Sequence, residues 1–218
     1  LDTLNNYTRV MSNLGIAAQD SEKSLKVLDN GITGLPTRLD DAASAVQRFT
    51  ATNGNIAAST DMFLALNNAI LAGGASTETQ TTALEQMMQA YSKSKPDAME
   101  WRALLTAMPA QLKQIATSMG YTSSAMGGDL YNAIQSGKVS MNNLMFAIMK
   151  LNKEGVAGFD NFATQAKNAT GGVGTSIANL KTAITRGITQ IMDVIGQSNI
   201  ASFFSGLSKA ISTAFNYV

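Results

Sequence analysis

The chain has 218 residues, 45% of them apolar, so it is long enough to bury a substantial core. Only 14% are charged, with a net charge of +1 and no run of Lys or Arg, which argues against a specific nucleic-acid partner. With no Cys and no His, disulfides, zinc sites and histidine-based acid–base catalysis are all excluded. The few charges divide unevenly: residues 1–100 hold 7 basic and 11 acidic side chains, residues 101–218 hold 9 and 4.

Helical spacing of apolar residues runs through the whole chain, and no stretch alternates with the period of a strand. A first helix is expected over about 1–18, with Leu4, Met11, Leu14 and Ala18 on one stripe. A second covers about 21–29, started by Asp20 or Ser21, before a turn at Gly31–Gly34. Pro36 is read as the opening of a helix to about 51, carrying Leu39, Ala43, Val46 and Phe49 inward. Asn53-Gly54-Asn55 breaks the chain. A helix over about 56–72 follows, apolar on one side through Ile56, Phe63, Leu66, Ile70 and Leu71.

Gly73-Gly74 is read as a left-handed stop that needs residues without a Cβ. Ser76 or Thr77 caps the next helix, to about 92, with Thr77 and Gln80 spaced as a capping box. Pro96 and Asp97 start a helix bearing Trp101, Leu104 and Leu105. Pro109 starts another, to about 118, that Gly120 ends. Trp101, the single tryptophan, shares an apolar face with Leu104, Leu105 and Met108 and is read as a core anchor. Short helices are expected at 123–127 and 128–136. Gly137 lies in a turn before Ser140, which caps a helix to about 152, and a further helix covers 156–168.

Thr170-Gly171-Gly172-Val173-Gly174 reads as a linker. Two longer amphipathic helices are expected beyond it, over about 175–196 and 199–217. In the first, Ile177, Ile184, Ile188, Ile191 and Ile195 fall on a coiled-coil-like seam, with Lys181 in one slot. In the second, Ile200, Phe203, Phe204, Leu207, Ile211 and Phe215 form one stripe. Polar residues interrupt that stripe too often for a membrane span, and its single Lys disfavours a membrane surface. Packing on this chain, on another copy or on a partner is the favoured reading. The fold class is thus all-α: a compact body of short helices over 1–170, then an amphipathic helix pair over 175–218. Because the chain opens on Leu1 in an amphipathic stretch, with no signal peptide, and its helical pattern reaches Val218, it is expected to be a segment of a longer polypeptide.

Catalytic readings are weak. Glu78, Glu85, Glu100 and Glu154 are the candidates for the paired carboxylates of a glycosidase, and the plainer reading of each is helix surface. The Gly171–Gly174 run has neither the preceding strand nor the Lys-Ser or Lys-Thr of a phosphate loop. No cofactor is implied.

One stretch, Leu66–Leu151, resembles a known family. Its ordered features are Gly73-Gly74-Ala75-Ser76, then Leu84, Gln86 and Met87, then Glu100-Trp101-Arg102 with Leu104-Leu105. Pro109, Leu112, an Ala116 to Met119-Gly120 helix end and Ser136-Gly137-Lys138-Val139-Ser140 complete the set. Together they resemble the N-terminal conserved domain of bacteriophage and prophage tail tape-measure proteins. Ser176-Ile177-Ala178-Asn179-Leu180-Lys181 is similar to the family's following helix. Where the family often has Gly between helices, this chain has Ser94-Lys95-Pro96-Asp97.

The resemblance implies a non-enzymatic virion protein, assembled in the bacterial cytoplasm and housed in the tail. It implies roles in setting tail length, building the tail tube and leaving with the DNA. The implied partners are tail-tube and tail-tip or hub proteins and assembly chaperones; the Ile and Phe stripes of 175–218 separately point to homo-oligomer formation or docking on a partner through that segment. The short, broken helices point to a folded end-piece, not the ruler itself. The alternative is a membrane-active or secreted helical effector, motivated by the C-terminal Phe/Ile stripe.

Overall fold

A computed structural model describes residues 2–171 of the chain. Ten helices follow one another: α1 (Asp2–Asn13), α2 (Ala18–Gly31), α3 (Leu39–Asn53), α4 (Ile56–Ala72), α5 (Thr77–Lys93), α6 (Ala98–Ala107), α7 (Pro109–Ser118), α8 (Asp129–Gln135), α9 (Met141–Glu154) and α10 (Phe162–Ala169). Among the described residues there is no strand, only an isolated bridge between Val156 and Phe159. The protein is all-α.

The organising element is α4. It packs against α2, α3, α5, α7, α9 and α10, so beyond its first turns, where Ala57 and Asp61 stay exposed, it is covered on more than one side. Its apolar residues Met62, Phe63, Ala65, Leu66, Ala69, Ile70 and Leu71 are buried, and so are Ser59, Thr60, Asn67 and Asn68. Each fully buried Phe or Leu contributes about 1.5–3 kcal/mol of transfer free energy.

Each of these four polar side chains makes at least one hydrogen bond, as burial requires. Tyr7 Oη, Ser24 Oγ and Thr60 Oγ1 form a chain with 2.7 Å steps, and Thr60 Oγ1 donates to the Ile56 carbonyl at 2.7 Å. Burial pushes the Tyr7 phenol up to about 12. Asn68 Nδ2 donates to Asn152 Oδ1 at 2.9 Å, fixing α4 against α9. Thr37 Oγ1 donates to Asn67 Oδ1 at 3.1 Å.

Local chemistry sets most helix ends. Asn55, Ser76, Asn161 and Ser140 each accept a backbone N–H of the first turn that follows. At α6 a full capping box forms: Asp97 Oδ1 accepts from Glu100 N, and Glu100 Oε2 accepts from Asp97 N at 2.9 Å. Pro109 occupies the first turn of α7, where a missing N–H costs nothing. The box expected at Thr77 and Gln80 is not formed. Ser76 is the cap, and Gln80 Nε2 instead donates to the Ala75 carbonyl at 2.8 Å.

Several expected boundaries are corrected. The first helix stops at Asn13 because Gly15 takes a left-handed φ of 79°. The break turns Leu14 and Ala18 outward, and Tyr7 with Met11 makes the buried face. Helix α2 starts earlier than expected, at Ala18, without a side-chain cap. Pro36 lies three residues ahead of α3 and does not open it. Residues 123–127 are a turn, not a helix. Gly155 and Gly158, both left-handed, delay the last helix to Phe162.

Candidate interaction surface

Gly73 and Gly74 do different work, although the sequence presents them as one stop signal. Gly73 keeps a right-handed φ of −67°. It has no room for a side chain, because a Cβ there would fall on the carbonyl oxygen of Ala107. Gly74 alone is left-handed, at φ 68°. The pair therefore lets α4 end flush against the junction of α6 and α7.

Helix α6 also carries the tryptophan. Trp101 is fully buried; its Nε1 donates to the Ser124 carbonyl at 2.9 Å, and its ring meets Tyr131 at 5.7 Å and 52°. Leu104 is buried, Leu105 is half-buried and Pro109 is exposed. The 122–128 turn that places Ser124 is tied down by Asp129. Its carboxylate accepts from Thr122 N at 2.7 Å, Ser123 N at 2.6 Å and Thr122 Oγ1 at 2.7 Å. The hydroxyl and amides of Thr122 and Ser123 hold the Asp129 carboxyl down at about 2. Gly137, left-handed at φ 78°, carries the chain from α8 to the Ser140 cap.

The candidate catalytic carboxylates lie on three helices: Glu78 and Glu85 on α5, Glu100 on α6 and Glu154 on α9. Glu85 pairs with Arg48 at 2.6 Å, linking α3 to α5. Glu100 is buried and accepts from Lys93 Nζ at 2.8 Å, and Lys93 also reaches Asp97 at 3.0 Å. The Glu100 carboxylate, then Asp97, raises the Lys93 ammonium above its usual range. Asp97 is lowered by the Glu100 amide first and by Lys93 second. Glu78 is exposed in the first turn of α5, and Glu154 lies 4.0 Å from Lys150 on α9. Among the described residues, no three acids converge where a metal could sit, and no helix is long and apolar enough to cross a membrane.

Among the described residues, two grooves are surfaces for binding. One, of about 590 Å³, lies between the end of α7 and the outer side of α9, lined by Met119, Tyr121, Val139, Phe146, Leu151 and Val156 among others. The second, of about 320 Å³, lies between α3, α4 and α5 over Ala45, Ile70, Leu71, Leu84 and Met88. Neither was singled out from the sequence. Phe146 did leave a signal: Leu144, Met145, Ile148 and Leu151 claim the inner side of α9, and Phe146 falls opposite them. Ile184, Ile188, Ile191, Ile195, Phe203, Phe204 and Phe215 lie outside the described residues.

The family model described as tape measure protein matches residues 1–193. No curated protein and no solved structure gives a match. With 193 of 218 residues matched across the helical body and beyond it, the chain belongs to the tape measure protein family and is a structural component of a phage tail.

Proposed function

We propose that this helical body is a folded, non-catalytic end-piece of the tape measure protein, and that length is measured by other, extended helical parts of that polypeptide. The arrangement around α4 supports this. A ruler gains 1.5 Å per residue along a continuous helix. Here the longest helices have 17 residues, and the chain returns to α4 from α2, α3, α5, α9 and α10. A body folded this way adds little length per residue but offers surfaces for docking.

In this reading residues 1–170 form the body, and 175–218 begin a helical region that joins copies or partners. The partners are tail-tube subunits, the tail tip or hub, and assembly chaperones. The body takes part in assembling the tube, and the protein leaves during DNA delivery. The test is the length of tails made by phage carrying in-frame deletions. Deletions in extended helical parts should shorten tails in proportion to the residues removed. A deletion within 66–151 should abolish tails. Tails shortened in proportion by a 66–151 deletion would overturn the division of labour.

A further inference from the structure

The described residues end close to an apolar groove. Ala166 of α10 forms one buried cluster with Leu35 and Leu71. Leu71, and Pro36 next to Leu35, also line the groove of about 320 Å³ between α3, α4 and α5. The chain is held to the body as far as Thr170, whose Oγ1 donates to the Ala166 carbonyl at 2.8 Å, and Gly171 is exposed. Whatever follows Gly171 therefore starts little more than one helical turn from the groove wall.

The lining says what the groove would take. Ala45, Ile70, Leu71, Leu84 and Met88 suit aliphatic side chains. Asn67 lines the groove too, at 8% exposure. Its Oδ1 accepts from Thr37, but its Nδ2 has no partner among the described residues. A buried donor is costly to leave unpaired, so an oxygen on the occupant would be an advantage.

The segment next in sequence carries both. Beyond Gly171-Gly172-Val173-Gly174, which can extend about 14 Å at most, Ile177, Ile184, Ile188, Ile191 and Ile195 recur at helical spacing. Thr185 and Thr189 flank this stripe with hydroxyl oxygens. A tether this short makes the encounter intramolecular, at an effective concentration of about millimolar. A second copy or a separate partner at ordinary concentrations is at a disadvantage for the same groove.

We propose that residues 175–196 fold back on the body and seat the Ile184, Ile188 and Ile191 stripe in the α3–α4–α5 groove, where an oxygen of the segment accepts from Asn67 Nδ2. The Phe stripe of 199–217 is then the part left for copies or partners.

The test uses the absence of cysteine from the full chain. Thr81 lines the groove and is exposed, and its Oγ1 bonds the Thr77 carbonyl; Thr106 on α6 is exposed, off the groove, and bonds the Arg102 carbonyl in the same way. Thr81→Cys and Thr106→Cys, made separately, each give one thiol whose alkylation by iodoacetamide can be timed, with circular dichroism to show that each variant is folded. The Thr81→Cys thiol should react about tenfold slower than it does after Ile184→Lys and Ile188→Lys are added, at a rate independent of protein concentration. The Thr106→Cys thiol should not notice those two changes. A Thr81→Cys rate unmoved by the lysines, whether fast or slow, would overturn the proposal, since the groove would be open or covered by something else. Protection that grows with protein concentration would assign the groove to a second copy and overturn it as well. Tail length does not enter the measurement, so a failure here leaves the end-piece reading standing.

Discussion

Gly73 lies so close to the carbonyl oxygen of Ala107 that no side chain fits between them. The contact is backbone against backbone, so no rotamer change can relieve it. Gly73→Ala must push the end of α4 away from the α6–α7 junction, disturbing the backbone at Ala107 and Met108. A loss of about 2–4 kcal/mol is expected, in the range of severe overpacking. Gly74→Ala should cost about 1–2 kcal/mol, since only a left-handed conformation is strained there. Urea unfolding of the two variants would separate steric from conformational strain. Equal losses would show that the Ala107 contact yields.

Ser94 is the non-glycine residue with a left-handed backbone among those described, at φ 71°, where it ends α5. Ser94→Gly should raise stability by about 0.5–1 kcal/mol, the relief of strain exceeding the added entropy of the unfolded chain. Lys93, Asp97 and Glu100 stay in place, so a higher denaturant midpoint with an unchanged slope is the expected signature.

Trp101 supplies its own reporter, since it is the single tryptophan and wholly buried. Trp101→Phe removes the donor to the Ser124 carbonyl and leaves a void beside Tyr131. A loss of about 2–4 kcal/mol is expected from cavity and orphaned carbonyl together. Ser124 belongs to the turn that the Asp129 carboxylate organises, so protection of the Ser123 and Leu130 amides against hydrogen exchange should fall in the same variant.

Asp129 gives the fold an acid-sensitive point. Its carboxyl is lowered to about 2 in the folded chain, against the usual value near 4 for a free aspartate. A depressed folded value means the stabilisation is complete above about pH 4 and lost as pH falls towards 2. Asp129→Asn should therefore lower the melting temperature most at neutral pH, with the gap to the unchanged chain closing between pH 4 and 2. A gap independent of pH would show that the ionised carboxylate is not what holds Thr122 and Ser123.

Local signals carried far in this chain. Ser76, Asp97, Pro109 and Ser140 mark helix starts because capping and proline chemistry depend only on the adjacent turn. The limits of α4 were legible for the same reason. Its surroundings were not. An apolar stripe on one side of α4 leaves Ser59, Thr60, Asn67 and Asn68 to solvent, but they are buried against Asn53 just ahead of the helix and against Tyr7, Ser24, Thr37 and Asn152 from distant parts of the chain. Likewise Leu4, Met11, Leu14 and Ala18 keep helical spacing across a break that Gly15 imposes. The α7–α9 groove depends on two helices meeting, and no single stretch encodes that. Phe146 was readable as an outward phenylalanine, but the recess beside it was not.

The enclosure of α4 also sets a schedule for synthesis. Its sides are covered by helices drawn from both ends of the body, and α10, which packs along it, begins ninety residues after α4 ends, at Phe162. A nascent chain that has emerged only as far as Leu151 has therefore made α4 without the helix that covers its last open flank. Phe63, Leu66 and Ile70 must wait there without their full set of neighbours, while Asn68 awaits Asn152. The interval between release of α4 and arrival of α10 is when this body is most exposed to aggregation, and when a holding chaperone would have most to grip.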